Sequence, residues 1–219
     1  MKVLVLISGI ADPKWPLPPQ PDAAALEAHA SRHAVLGPFD EAALELALQL
    51  RDADPSTTIE AAVAGPEPLA RKVAEWRLDG VRRLAPLPAP WDVQARALAL
   101  AQAIAPWASQ AARVLMGREF GDWDDGTTPA LVARMLGLPH VPLSLSVDER
   151  QGVTRQRGGL IERLHIPGPV LLSVTNDARN RLRLPLLKNV MAARKMQFES
   201  VHPNAAAAAL HLDGMRPAP

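Results

Sequence analysis

The chain has 219 residues, a formal net charge of +1 at pH 7 and no cysteine. This length allows one large domain, or one domain with an appendage, to bury its core without covalent crosslinks. The lack of cysteine excludes disulfides, Cys-ligated zinc, iron–sulfur clusters and a thiol nucleophile. The near-neutral charge does not favour broad electrostatic binding of nucleic acid.

The first predicted element is a strand from Lys2 to Ser8, an apolar run continuous enough for burial on both faces. The run is too short for a signal peptide, and no stretch reaches the length of a membrane span. A cytoplasmic protein that is not embedded in a membrane is therefore expected. A proline-rich loop follows over residues 12–22. His29 and His33 then share a short predicted helix without a third ligand, which favours a solvated pair over a metal site.

Helices and strands alternate over residues 38–138. Pro38 and Asp40 are helix-start signals, and Glu41 and Glu45 suit the positive end of the helix dipole. The next predicted elements are strand 57–65, helix 66–80 closed by a glycine, strand 81–84, helix 92–108, strand 112–117 and helix 127–138. This pattern predicts βαβ units with right-handed crossovers and a mostly parallel sheet, in a doubly wound three-layer α/β sandwich.

The pattern changes from Val141 onwards. Short alternating runs are separated by Gln-Gly, Gly-Gly and Pro-Gly-Pro, which are typical of antiparallel hairpins. Residues 176–196 then read as neither a clean helix nor a clean strand. Both an arm that packs on a partner and a disordered end have this character.

Ligands of a doubly wound sheet bind beyond the carboxyl ends of its strands, at the switch point. Ser8-Gly9, Gly65-Pro66 and an acid-rich loop, residues 117–127, all follow predicted strands. The acid-rich loop enters a helix, whose N–H groups and dipole favour an anion. Gly126 lets a phosphate approach the backbone, and Thr127 and Thr128 add hydroxyl donors.

The acids of this loop leave several interpretations open. Asp122, Asp124 and Asp125 suit a helix cap, hydrogen bonds to a ribose or base, or Mg²⁺. The sequence has no GxxxxGK[ST] loop, no GxGxxG fingerprint and no Gly-x-Ser-x-Gly elbow. No catalytic residue is predicted, so the chain is expected not to be an enzyme.

Several stretches share a pattern with one family. GPFDEAALELALQL is similar to an Asn-Pro-Phe-Asp-Glu-x-Ala-x-Glu-x-Ala helix start, the most specific match, and VLVLISGIADP is similar to the same family's opening strand and loop. VAGP, the acid-rich loop, TRQRGGLIERLHIPGPVLLSVT and NRLRLPLLKNVMAA follow the family's later segments in order. Together these segments span most of the chain and resemble the beta subunit of electron transfer flavoprotein, as a divergent member.

The resemblance implies an electron-carrier subunit in a heterodimer with an alpha subunit that holds most of a shared FAD. Electrons would pass from a flavin-dependent dehydrogenase to a quinone oxidoreductase or a similar acceptor. The beta subunit of the family buries AMP as a structural nucleotide, and bifurcating relatives hold a second FAD instead. Carried over by position, the AMP-binding residues are Leu6, Pro38, Phe39, Asp40, Ala64, Asp122, Gly126, Thr127 and Thr128.

The resemblance also implies a division of the chain. It predicts a nucleotide-binding α/β domain over residues 1–177, a recognition arm over 178–200 and a flexible tail over 201–219. The partner-binding residues of the arm would be Arg183, Leu184, Leu187 and Met191. The sequence departs from the family pattern at several positions. Gly37 stands where Asn is usual, and Pro13 stands where some members have Tyr. Arg181-Leu182 replaces Glu-Pro, Leu184 replaces Tyr, and Thr127-Thr128-Pro129 replaces Gln-Thr-Gly. These differences indicate a paralogue with a dedicated partner.

Other functions make different demands on the sequence. A nucleotide-binding α/β regulator of the universal-stress type carries a Gly-x-x-Gly-x(9)-Gly-[ST] loop, which is absent here. An adenylating enzyme of a related fold needs a Ser-Gly-Gly-x-Asp-Ser loop after the first strand, whereas ISGIADP has one glycine. A nucleotide-binding α/β regulator or a scaffold with an empty pocket, in either case without a redox role, remains as the alternative.

Overall fold

The computed structural model describes residues 1–16, 18–19, 22–87, 89–148, 152–204 and 207–214. The strands are β1 (Lys2–Ile7), β2 (Ile10–Ala11), β3 (Ala34–Val35), β4 (Thr58–Ala64), β5 (Gly80–Leu84), β6 (Arg113–Gly117), β7 (His140–Val147), β8 (Gly152–Arg157), β9 (Leu160–His165), β10 (Val170–Val174) and β11 (Ser200–Val201). The helices are α1 (Ala23–His33), α2 (Pro38–Ala53), α3 (Glu67–Ala74), α4 (Val93–Ala108), α5 (Thr128–Leu136) and α6 (Leu187–Ala193), with a 3₁₀ turn at Ala178–Asn180.

The main sheet has nine strands in the order β11-β5-β4-β1-β6-β10-β7-β8-β9. Neighbours from β11 to β7 pair in parallel, whereas β8 pairs antiparallel with β7 and with β9. The predicted doubly wound α/β class is therefore confirmed. The chain moves outward from β1 through β4 to β5 and then returns to β6 on the other side of β1, so the switch point lies between β1 and β6.

Helices cover both faces of the sheet. Successive side chains of a strand point to opposite faces, so a strand that is apolar throughout needs cover on both sides. The odd positions Val3, Val5 and Ile7 of β1 pack in one core with α2 and α3. The even positions Leu4 and Leu6 pack in the other core with α4 and α5. This arrangement is the predicted three-layer sandwich, and its two apolar cores hold the strand ends in place.

Two predicted elements differ from the structure. The helix predicted over 66–80 ends at Ala74, because Arg77 has a φ of 52° and Arg51 donates to the carbonyls of Trp76 and Arg77. The run Val170–Val174, predicted among the antiparallel hairpins, lies parallel between β6 and β7. All five of its residues are buried, which is the character of a central parallel strand.

The chain after β10 returns to the opposite edge of the sheet. The backbone of Arg83 and Ala85 bonds to residues 199 and 201, so β11 lengthens the sheet beside β5. The predicted flexible tail, 201–219, falls partly outside the described residues, at 205–206 and 215–219. Within the described ranges, no helix is long and apolar enough to cross a membrane.

Candidate functional site

Three loops meet at the carboxyl edge of the central strands. They follow β1, β4 and β6, which are neighbours in the sheet, and they contain Ser8-Gly9, Gly65-Pro66 and the acid-rich loop. A Cβ on Gly65 would lie 3.4 Å from the Ser8 carbonyl oxygen, and a Cβ on Gly121 would lie 3.5 Å from the Gly9 carbonyl oxygen. The three loops were predicted to lie at the same end of the sheet, and in the structure they are in close contact.

A cavity of about 330 Å³ opens between the segments that follow β1 and β6 and the start of α2. It is lined by Ile10, Gly37, Pro38, Phe39, Asp40, Glu119, Gly121, Asp122 and Asp124. The volume lies at the small end of the range of small-molecule sites, roughly 300–1,000 Å³. Four of the lining residues are acidic, so the walls offer oxygen acceptors more than cationic groups.

Asp40 joins the first loop to the start of α2. Its carboxylate accepts from the backbone N–H groups of Ser8, Gly9 and Gly37, with N···O distances of 3.2, 2.9 and 3.2 Å. The side chain is 2% exposed, and burial raises its pKa to about 6 against the partial opposition of these three bonds. Asp40 therefore fixes one wall of the cavity from within.

The acid-rich loop is organised around Asp124. Its carboxylate accepts from the N–H groups of Phe120, Thr127 and Thr128 at 2.8, 3.2 and 3.1 Å. The N–H groups at the start of α5 were predicted to bind an anion. In the structure they donate to a carboxylate of the loop itself. Thr127 is held further by Asp125, whose pKa the Thr127 hydroxyl lowers.

Arg96 of α4 supplies the buried counter-charge. Its guanidinium lies 3.2 Å from Asp124 Oδ1 and donates to Thr128 Oγ1 and the Pro90 carbonyl at 2.5 and 2.7 Å. Arg96 is 3% exposed, and burial lowers its pKa although Asp124 opposes this. The acid-rich loop is therefore locked to α4 by a three-way contact inside the protein.

The mouth of the cavity is bordered by a short ribbon. Strands β2 and β3 pair there, and the N–H of Ala11 donates to Asp122 Oδ2 at 2.8 Å. The buried Ser8 hydroxyl oxygen, 3.6 Å from where a Cβ on Gly121 would lie, has no hydrogen-bond partner among the residues that the structure describes. An orphaned hydroxyl at a switch point is the kind of group that a bound polar ligand satisfies.

The predicted AMP-binding residues fall into two groups. Pro38, Phe39, Asp40 and Asp122 line the cavity. The others lie outside its lining: Leu6 is in the α4 core, Ala64 ends β4, Gly126 and Thr127 lie in the loop, and Thr128 is buried against Arg96. Sequence reasoning missed Ile10, Glu119 and Gly121 as lining residues and gave Arg96 no role. Gly37 it noted only as a departure from the family pattern.

The predicted partner-binding residues also divide. Leu184, Leu187 and Met191 are 91, 77 and 50% exposed. Arg183 instead faces the protein: it pairs with Glu45 at 2.7 Å and with Asp52 at 2.5 Å, and these acids raise its pKa. The Trp76 indole N–H donates to the Arg183 carbonyl at 2.9 Å, so Arg183 anchors the arm on α2 and α3.

Fold and cavity together define a doubly wound α/β protein with a ligand-sized pocket at its switch point. Residues 26–206 match the model of the electron transfer flavoprotein domain. The chain is 30% identical over 175 residues to "Electron transfer flavoprotein subunit beta" of Syntrophomonas wolfei, covering 77% of this chain and 68% of that protein. It is 29% identical over 212 residues to "Electron transfer flavoprotein subunit beta, mitochondrial" of Oryza sativa subsp. indica, covering 93% and 82%.

The chain belongs to the electron transfer flavoprotein family, among its beta subunits. Membership supports an electron-transfer role and agrees with the expectation that the chain is not an enzyme. It also implies association with a flavin or AMP and with an alpha subunit.

Proposed function

We propose that this chain is the beta subunit of a heterodimeric electron transfer flavoprotein and holds AMP at its switch point as a structural nucleotide. One observation carries the proposal. The cavity beside β1 is formed by the Gly37–Asp40 helix start and the acid-rich loop, which are stretches that resemble the family.

The size and polarity of the cavity favour AMP over a second FAD. At about 330 Å³ it suits a nucleoside monophosphate, whereas a dinucleotide would extend well beyond it. The carboxylates of Glu119 and Asp122, which are not buried, suit ribose hydroxyls and the adenine amino group, which donate to carboxylates.

The phosphate of the nucleotide needs a cation or N–H donors to offset the charge of these acids. Arg118 lies at the β6 end of the loop with its guanidinium carbon 4.8 Å from the Phe39 ring centroid, and it pairs with the side chain of Glu119. It is less than half exposed, so it is held near the cavity and can still reach outward. We assign to Arg118 the phosphate end of the nucleotide.

FAD, held mostly by the alpha subunit, supplies the electron-carrying chemistry of the dimer. This chain contributes a rigid surface and its charges. The bound nucleotide would complete the packing between α2 and the acid-rich loop without reacting. Electrons would enter from a flavin-dependent dehydrogenase and leave to a quinone oxidoreductase or similar acceptor, in the cytoplasm.

Filling the cavity tests the nucleotide site. Ile10 lines the cavity from the partly exposed strand β2. Ile10→Trp puts a bulky ring into the cavity, whereas Ile10→Val keeps the space open. We expect the tryptophan variant to lose at least about tenfold in AMP affinity, which corresponds to about 1.4 kcal/mol. Calorimetric titration of AMP, with thermal unfolding as the check on folding, measures this. Equal AMP binding by both variants would show that AMP does not bind in this cavity.

The recognition arm over residues 178–200 is proposed to bind the partner dehydrogenase through its exposed apolar side chains. The anchoring of Arg183 on Glu45 and Asp52 sets the position from which Leu184 and Leu187 project. Exposed apolar side chains that are grouped in a short ordered segment mark a surface that binds a partner.

Leu187→Ala and Arg183→Met should separate these two roles. The leucine is 77% exposed, so its loss should change the free energy of unfolding by less than about 0.5 kcal/mol while slowing electron uptake from the dehydrogenase. The arginine variant leaves the nearly buried Glu45 carboxylate without its cation and should unfold more easily. Stopped-flow flavin reduction and denaturant unfolding measure the two effects. Normal uptake by Leu187→Ala would argue against the arm as the binding surface.

A further inference from the structure

The C-terminal strap, residues 207–212, lies across the start of α4. The N–H groups of Ala209 and Leu210 both donate to Asp92 Oδ2, at 2.8 and 3.0 Å. The Leu210 carbonyl accepts from the Trp91 indole N–H at 3.3 Å. Three hydrogen bonds to two consecutive side chains therefore hold this segment, although its own Leu210 side chain is 58% exposed.

Asp92 divides its carboxylate between the strap and the helix. Oδ1 caps α4 by accepting from the N–H groups of Gln94 and Ala95, at 3.0 and 3.1 Å, while Oδ2 is taken by the strap. The side chain is 2% exposed. Removal of the strap would deprive Oδ2 of both N–H donors and leave it to bond with water instead.

The residues that hold the strap also contact the acid-rich loop. The Trp91 ring meets the Trp123 ring edge-on, with centroids 6.4 Å apart. One turn beyond Asp92, Arg96 donates to the Pro90 carbonyl and to Asp124 and Thr128. Two separate contacts thus join residues 90–96 to the acid-rich loop. One is made by Trp91 with Trp123, and the other by Arg96 with Asp124 and Thr128.

We infer that the strap positions the acid-rich loop by fixing the Trp91–Arg96 segment against which the loop packs. Asp92 and Trp91 act as positioning residues, and neither lines the cavity. The inference concerns the order of the loop and holds whether or not the cavity takes a nucleotide. Its failure would leave the proposed AMP site standing, and the failure of AMP binding would leave the strap in place.

Amide hydrogen exchange of the full-length chain, without nucleotide, tests the inference. Asp92→Asn keeps an oxygen for the α4 cap but presents an amide to the strap, which cannot accept from Ala209 and Leu210. Ala209→Pro removes one strap donor and leaves the α4 cap untouched. Asp213→Asn, at an exposed position beyond the strap, is the matched control.

We expect both test variants to exchange the strap amides faster and, with them, the amides of Phe120, Thr127 and Thr128. The loop amides should exchange about threefold to tenfold faster than in the wild type and in Asp213→Asn, since local opening governs exchange in native proteins. A faster strap with an unchanged loop in both variants would overturn the inference. So would an unchanged strap, because the hydrogen bonds to Asp92 would then not be what holds it.

Discussion

Asp40→Ala should lower the free energy of unfolding by about 3 kcal/mol, because three buried N–H groups lose their acceptor together. These groups belong to Ser8, Gly9 and Gly37, which lie on both sides of the cavity wall. The substitution thus removes the one side chain that joins the end of β1 to the start of α2. Denaturant unfolding at neutral pH measures the loss.

The same carboxyl should make the stability depend on pH. Its pKa is about 6 in the folded chain and 3.8 ordinarily, so between these values the folded protein holds a proton that the unfolded chain has released. The contribution is therefore fully present below pH 3.8 and is lost as the pH rises through about 6. A raised pKa of this size corresponds to about 3 kcal/mol.

Comparison with Asp40→Asn isolates this contribution, since asparagine does not titrate. Other carboxyls with lowered pKa, such as Asp54 and Asp177, oppose the trend in both proteins and cancel in the difference. The stability of the wild type relative to Asp40→Asn should fall between about pH 4 and pH 7. Asp213→Asn, which neutralises an exposed carboxyl that is not among the groups acting on Asp40, serves as the control. A constant difference over this range would show that Asp40 is not protonated in the folded state.

Arg96→Met is the second substitution with a large expected effect. It leaves the Asp124 carboxylate, whose side chain is 0% exposed, without its cation. The loss of one partner of a buried ion pair costs about 3–5 kcal/mol, so a decrease of this size in unfolding free energy is expected. Arg96→Lys should recover little, because an ammonium cannot span the Pro90 carbonyl, Asp124 and Thr128 at once.

A double-mutant cycle with Asp124→Asn distinguishes the ion pair from simple loss of packing. If the pair is the cause, Arg96→Met should cost at least about 1 kcal/mol less when residue 124 is already neutral. Additive losses would mean that the guanidinium acts through its other contacts alone.

Much of the fold could be predicted from local patterns. The buried run Lys2–Ile7 and the Pro38–Asp40 helix start are features of neighbouring residues, and the structure has both. The alternation of strands and helices was enough to place the loops after β1 and β6 at one edge. The position of β10 was not predictable in this way, because Pro-Gly-Pro allows a hairpin or a crossover and only the remainder of the sheet decides between them.

The candidate site was predictable where it depends on the loops themselves. Asp40 and Asp122 lie in motifs and line the cavity. Arg96 carries no local signal, since it lies within an Ala- and Leu-rich helix and meets Asp124 only when α4 packs beside α5. Arg183 shows the same limit: the pattern placed it on a binding arm, and its partners Glu45 and Asp52 are distant in sequence.

We propose that the chain is a subunit whose buried nucleotide completes the switch point and whose electrons travel through a flavin held with a partner. The most direct test is to purify the native chain from its own cells, denature the complex and identify the released nucleotides and polypeptides by mass spectrometry. We expect AMP and FAD in roughly equal amounts together with an alpha subunit. The release of neither nucleotide, with no second polypeptide, would contradict the proposal and would favour a scaffold with an empty pocket.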